Sequence, residues 1–340
     1  MALEARDLVV VGASAGGVEA LRAFVAGLPA DLPAAVVVVL HLPAGGTSAL
    51  PAILDRSGPL PAVSARHGTE LEPGRIHVAP PDHHVVVEDG ALTLSHGPTE
   101  NGHRPAVDTL FRSAAMARGP GVIGIVLSGA LDDGTAGMVA VAARGGVTMA
   151  QDLEDALYRG MPGSVMRHVR VDHVLPASRL GDAVRRHAGE LVETSDLPAP
   201  SPLLRLEAGF SARRSDEVNG VDEVGQPSGF SCPDCGGTLL ELDAERTRYR
   251  CRVGHAWTAD ALLDAQAGTL ERALWTALRT LEEKVSLARK LRRDALNRGS
   301  ERLAERYART EEESAHAADV LRRYLLSDSV GEQARSDRPS

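Results

Sequence analysis

Short apolar runs alternate with longer amphipathic stretches from Leu8 to about Glu190. Val9-Val10-Val11, Ala35 to Leu40, Ile76-His77-Val78, Val122 to Leu127 and Val147 to Ala150 are apolar at nearly every position. A strand covered on one face alternates in polarity, whereas a strand covered on both faces does not. These runs therefore predict an α/β fold, a doubly wound and mostly parallel sheet with helices on both faces. Helical spacing separates them, in Leu21, Phe24, Val25 and Leu28, around Leu50 to Arg56, over Val107 to Ala117 and over Ala136 to Arg144. Val85–Val87 and Leu92–Leu94 flank Glu88-Asp89-Gly90-Ala91 and predict a hairpin that turns at Asp-Gly. This α/β region is assigned to residues 1–192.

From Glu193 to Gly229 no period persists, and Pro198, Pro200, Pro202, Gly220, Pro227 and Gly229 accumulate. Residues 193–229 are accordingly read as a linker. A compact cysteine and histidine segment follows at 230–258. Over 259–327 a helical tail repeats apolar residues at Leu262, Leu263, Leu270, Leu274, Leu278, Leu281 and Val285, then at Leu303, Tyr307, Val320, Leu321 and Tyr324. The break at Asn297-Arg298-Gly299 predicts an antiparallel pair of helices. Residues 328–340 are polar and expected to be disordered.

Composition narrows the class. In 340 residues, 43% are hydrophobic and 24% charged, an ordinary globular balance. No run reaches the roughly 18 apolar residues of a membrane-spanning helix, so no membrane insertion is expected. Acids among the first residues speak against a signal or transit peptide. Three cysteines are too few for a disulfide framework, which points to a reducing, cytoplasmic setting. A net charge of −9 argues against a nucleic-acid partner.

Candidate chemistry gathers where strands end. Gly12-Ala13-Ser14-Ala15-Gly16-Gly17 lies between the first long strand and its helix. Gly-x-Ser-x-Gly there has the form of a nucleophile elbow, whose glycines permit a sharp reversal that projects the hydroxyl above the sheet. A phosphate-cradling loop or a plain tight turn are the alternatives, but neither Gly-x-Gly-x-x-Gly nor Gly-Lys-Ser/Thr spacing is present. His41 directly follows the strand ending at Leu40, on the edge where open α/β sheets assemble their sites. Ser128-Gly129-Ala130-Leu131-Asp132-Asp133-Gly134 follows the strand ending at Leu127. A carboxylate there is expected to accept the Nδ1–H of His41 and stabilise the imidazolium. Spacing alone does not choose between Asp132 and Asp133, either of which can instead serve the following helix as N-cap. The chain order Ser, His, Asp is not that of α/β-hydrolases.

Taken with Leu40-His41-Leu42-Pro43, Ala79-Pro80-Pro81-Asp82-His83-His84, His103-Arg104-Pro105-Ala106-Val107-Asp108 and Gly160-Met161-Pro162, these motifs resemble, in order, those of CheB-type protein-glutamate methylesterases. The likeness covers roughly Leu8 to Glu190. It implies that Ser14 is the nucleophile, His41 the base and Asp133 the orienting acid, with His84 at the position of a family histidine. Backbone amides near Ala15 and Ala130 would form the oxyanion loop, and Met161 would line the substrate mouth, although its residue type alone favours ordinary packing. The implied activity is hydrolysis of glutamate γ-methyl esters on a chemoreceptor or related signalling protein, with glutamine deamidation open to the same acyl chemistry. No cofactor is expected for catalysis. Two departures stand out: Ala15 replaces a frequent Thr, and Gly129-Ala130-Leu131 replaces Gly-Met-Gly. The chain also starts at the catalytic strand without a receiver domain, so control by aspartyl phosphorylation within it is not expected. The rival reading is a catalytically weak scaffold that binds signalling partners. Arg104 and Arg112 invite assignment to an acidic substrate, although such residues more often pair locally.

Cys232-Pro233-Asp234-Cys235 and Cys251-Arg252-Val253-Gly254-His255 use every cysteine of the chain. Cys-x-x-Cys followed by Cys-x-x-x-His completes a four-ligand set for structural zinc, with Tyr249 and Trp257 as a small core. A redox Cys-x-x-Cys is the alternative. The segment resembles the zinc-ribbon extension of some receiver-less CheB-like proteins. The helical tail suits homodimerisation, docking on a kinase or receptor, or packing on the zinc module; a sensor kinase or a methyltransferase is an expected partner of the protein.

Overall fold

The computed structural model describes residues 3–194, 199–212, 225–243 and 248–336. They fall in two units, residues 1–262 and 263–340.

In the first unit, β1 (Leu3–Ala5), β2 (Leu8–Ala13), α1 (Gly17–Ala26), β3 (Ala35–Leu40), α2 (Leu50–Asp55), β4 (Ala62–Ser64), β5 (Thr69–Glu70) and β6 (Ile76–Val78) come first. Then follow β7 (His84–Glu88), β8 (Ala91–Ser95), α3 (Val107–Arg118), β9 (Val122–Val126), α4 (Thr135–Ala143), β10 (Val147–Gln151), α5 (Gly160–His168), β11 (His173–Leu175) and α6 (Ala177–His187). Seven strands form one parallel sheet in the order β11-β10-β9-β2-β3-β6-β4. Every residue of β2 and β3 is buried. Val9, Val11, Val36 and Val38 pack on one face with α1 and α6, while Val10, Val37 and Val39 pack on the other with α3 and α4. Two apolar layers explain why these runs do not alternate. The chain moves from β2 to β3 on one side and later returns to lay β9 on the other. The carboxyl ends of β2, β3 and β9 therefore meet at a topological switch point.

The hairpin of β7 and β8 forms as the sequence suggests, with β5 added on its edge. Asp89 and Gly90 take φ of 47° and 79°, the left-handed pair that a two-residue turn requires. β1 pairs antiparallel with β12 (Leu191–Glu193), tying the two ends of the α/β domain together.

The stretch read as a linker contains structure. α7 (Pro202–Ala212) buries Leu204, Leu206 and Phe210. Its prolines mask the helix in the sequence, yet Pro202 occupies the first helical position, where a missing N–H costs nothing. Gln226 to Gly229 also belong to a strand, β13 (Gln226–Ser231), and not to a linker. The remaining linker residues, 195–198 and 213–224, lie outside the described residues. β13 begins a four-stranded antiparallel sheet with β14 (Thr238–Asp243), β15 (Arg248–Cys251) and β16 (Ala256–Thr258). Arg248 and Arg250 of β15 turn inward and not toward solvent. Arg250 pairs with Glu100 at 3.0 Å and Glu207 at 3.3 Å, and Arg248 with Glu207 at 2.8 Å. Arg112 closes the group against Glu100. Buried guanidinium groups persist only when paired in this way.

The second unit is an antiparallel helical pair made by α8 (Ala259–Asn297) and α9 (Glu301–Ser336). Gly299, at φ 69°, turns the chain where the break is predicted. Leu278, Ala318 and Leu325 form its core with Leu274, Leu281 and Leu321. Arg289–Glu311 at 2.9 Å and Arg322–Glu282 at 2.6 Å cross between the helices. α9 runs on through 328–336, residues expected to be disordered. Their polar composition hides them from an apolar period, but extending an existing helix needs no new nucleus. Residues 337–340 lie outside the described residues. No described helix is long and apolar enough to cross a membrane.

Candidate active site and metal-ligand cluster

Ser14 opens the turn between β2 and α1. Its N–H donates to Ser128 O at 2.9 Å, and its carbonyl accepts the Gly17 N–H at 2.8 Å. Gly16 sits at φ 68°, and a Cβ there would lie 2.7 Å from Ser128 Oγ, so both backbone and space demand glycine. Ser128 Oγ donates to Ala15 O at 2.8 Å and accepts the Tyr158 N–H at 2.9 Å, locking this turn to the loop ahead of α5. His41 follows β3, and Asp133 follows β9.

The three meet. Ser14 Oγ lies 3.1 Å from His41 Nδ1, and His41 Nε2 lies 2.7 Å from Asp133 Oδ2. The expected use of the ring nitrogens is therefore reversed, because the acid faces Nε2 and not Nδ1. Strand order is the reason. Ser14 comes from β2, one strand away and close to the backbone of His41, so the inner nitrogen meets it. Asp133 comes from β9, two strands away and roughly 10 Å across the sheet, so only the outer nitrogen reaches it.

Asp133 is buried at the start of α3. Oδ2 also accepts the Val107 N–H at 2.7 Å, and Oδ1 accepts the Asp108 and Gly134 N–H groups at 3.1 and 3.0 Å. Burial alone would raise its pKa. The His41 hydrogen bond and charge, with the helix-terminal amide, more than offset that and hold it below the usual carboxylate range. Asp132 points elsewhere: its Oδ1 accepts the Thr258 hydroxyl at 2.8 Å, and burial raises its pKa to about 6.

The backbone N–H groups of Ala15 and Ala130 have no acceptor among the described residues. Leu131, where the family pattern has glycine, takes φ 57°, so a leucine occupies a left-handed position at some steric cost. One sequence assignment changes. Met161 is fully buried and does not line a mouth; it packs beneath Gly129, where a Cβ would come 2.0 Å from its sulfur. His84 is also buried. Its Nε2 donates to Pro98 O at 2.9 Å and its Nδ1 accepts the Ala106 N–H at 3.2 Å, so it fastens the 98–106 loop. Neither position is readable from motif order, which is blind to depth. Arg104 pairs locally with Asp82 at 2.6 Å, and Arg112 is buried in the ion network.

An open cleft of about 500 Å³ leads to Ser14 and His41, with Thr99, Gly102, His103 and Arg104 on its wall. The sequence marks His103 only as part of its motif. Its ring stacks on that of His41 with centroids 3.7 Å apart and planes 16° off parallel. Burial, then the nearby His41, lowers the His103 pKa to about 4, so the ring is neutral at neutral pH. A base whose folded pKa is depressed costs stability as pH falls from its ordinary 6.5 through about 4. The difference in unfolding free energy between wild type and His103→Phe should thus shift against wild type between pH 7 and 4.5. Denaturant titrations at both pH values check this.

Cys232, Cys235, Cys251 and His255 place one ligand atom each within 4.8 Å of all the others. Cys235 Sγ and Cys251 Sγ are 3.7 Å apart, and Cys251 Sγ is 3.5 Å from His255 Nδ1. A zinc tetrahedron with metal–sulfur bonds of about 2.3 Å has sulfur–sulfur edges of about 3.8 Å and slightly shorter sulfur–nitrogen edges. The cluster fits such an ion.

A doubly wound α/β domain with Ser, His and Asp converging at its switch point belongs to the broad class that houses serine hydrolase sites. The chain belongs, more narrowly, to the CheB methylesterase family, which it matches over residues 9–184. It is 37% identical over 187 residues to a protein-glutamate methylesterase/protein-glutamine glutaminase of Methanosarcina mazei, covering 53% of this chain and 51% of that protein. A protein of the same description from Nocardioides sp. is 42% identical over 183 residues, covering 53% of this chain and 50% of the relative. The crystal structure of the Thermotoga maritima CheB methylesterase catalytic domain superposes with a TM-score of 0.51 at 35% identity, over 53% of this chain and 97% of that one. The chain thus spans about half the length of these curated relatives.

Proposed function

We propose that this protein is a serine esterase that hydrolyses glutamate γ-methyl esters on a methylated receptor or related signalling protein and releases methanol. The observation that carries the reading is the Ser14–His41–Asp133 relay, at 3.1 and 2.7 Å, in a chain of this family. His41 Nδ1 takes the Ser14 proton as Oγ attacks the ester carbonyl. Asp133 holds the Nε2–H and balances the imidazolium charge. The Ala15 and Ala130 amides receive the oxyanion. His41 then returns the proton to departing methoxide, and water, deprotonated by the same ring, releases the glutamate and restores the serine. An amide leaving group can follow the same route, so glutamine deamidation belongs to the proposal. The test is methanol release from a methylated receptor preparation. Release at a rate no different from buffer would sink it.

The Cys232, Cys235, Cys251 and His255 cluster is proposed to hold a structural zinc, since four protein ligands leave no open position. Elemental analysis of the full chain should find one zinc per molecule, and Cys251→Ser should lose it. A cytoplasmic location, self-association through the helical pair, and docking on a sensor kinase or methyltransferase are further parts of this reading. Size-exclusion chromatography with light scattering checks the second of these.

A further inference from the structure

One loop, Thr99–His103, lies between the cysteine module and the serine site. On the module side, the Asn101 N–H donates to Ala256 O at 2.8 Å and the Ala256 N–H to Thr99 O at 3.3 Å. The Thr258 N–H donates to Asn101 Oδ1 at 2.9 Å, and the Trp257 ring covers Gly102, 3.5 Å from where a Cβ would stand. Asp234, between the two cysteines of the knuckle, accepts the Thr99 hydroxyl. Arg250 pairs with Glu100 at 3.0 Å. On the site side, Thr99 and Gly102 line the cleft, and His103 stacks on His41. Thr258 Oγ1 also grips Asp132, the neighbour of Asp133.

Every one of these module contacts comes from a residue within three positions of a cysteine or histidine of the knuckle. β16 has three residues, each paired with β15. Cys251 ends β15 and His255 directly precedes β16, so a cation closing the knuckle would fix the turn that aims β16 at the loop.

We propose that the cysteine–histidine knuckle is a positioning device for the serine site. A cation bound by Cys232, Cys235, Cys251 and His255 holds β16 and Asp234 against the Thr99–His103 loop, and the loop sets the His41 ring between Ser14 and Asp133. This rests on the esterase reading above. Asp234 acts through the loop and the Thr258 hydroxyl through Asp132, the neighbour of Asp133, so both are positioning residues.

The test uses the full chain, zinc-loaded and after chelation, with a fluorophosphonate that reacts with activated serines. Loaded protein should label at Ser14. Chelation should slow labelling at least about tenfold, since a misplacement of about 1 Å in a catalytic group is enough to do so. Chelation should also speed amide exchange in residues 99–103, and added zinc should reverse both changes. As a variant that keeps its metal, Thr258→Val should label about fivefold more slowly at unchanged zinc content, whereas Thr258→Ser, which retains the hydroxyl, should match wild type. Labelling that is equal or faster without zinc would overturn the positioning role alone. So would Thr258→Val behaving as wild type. Loaded wild-type protein that never labels would overturn the esterase reading itself, and this inference with it.

Discussion

Ser14→Ala is expected to cut methanol release by at least about a thousand-fold while leaving the protein folded. The first half follows from chemistry. Without Oγ no acyl-enzyme forms, and the amides of Ala15 and Ala130 can only polarise the ester for attack by water. The second half follows from the turn. Ser14 is held by its backbone, through Ser128 O and the Gly17 N–H, and its hydroxyl adds only the 3.1 Å contact with His41. Thermal melting should therefore coincide with wild type. Undiminished methanol release would remove Ser14 from the mechanism.

Asp133→Asn should be nearly as damaging, at about a thousand- to ten-thousand-fold in turnover, the scale on which a neutral amide fails to replace such a carboxylate. Here the loss has two sources. An amide cannot balance the imidazolium that forms on His41. Its NH₂ must also face donors, because the carboxylate oxygens already accept from His41 Nε2 and from the Val107, Asp108 and Gly134 amides. Burying that mismatch should lower stability by about 1–3 kcal/mol, visible in denaturant midpoints. If the two residues serve one relay, the double variant with Ser14→Ala should be no slower than Ser14→Ala alone. Additive losses would separate Asp133 from the relay.

Much of the fold was legible because burial on both faces leaves a direct trace. Val9–Val11 and Ala35–Leu40 have no polar side because each of their faces meets a helical layer. The Asp89-Gly90 turn was legible because few residues tolerate its backbone. α7 was not, since its apolar residues serve two different cores and prolines crowd its start. Met161 belongs to the right neighbourhood but lies deeper than a residue of the mouth would. Motif order says which loops converge and nothing about which side chain in a loop faces inward. The role of His103 is not legible in the sequence, because stacking needs two rings brought together from residues 41 and 103.

What the amino-acid order determined by itself is local: strands sheathed by helices, glycines that permit a serine turn, and residue types stationed at strand ends. Spacing also marked a four-ligand knuckle within a few dozen residues. Only the tertiary structure decided which ring nitrogen of His41 faces the acid and that the knuckle leans on the loop behind His103. Those outcomes depend on the lateral order of strands and on distances across the sheet. Such distances arise when the whole layer packs, and no single segment encodes them.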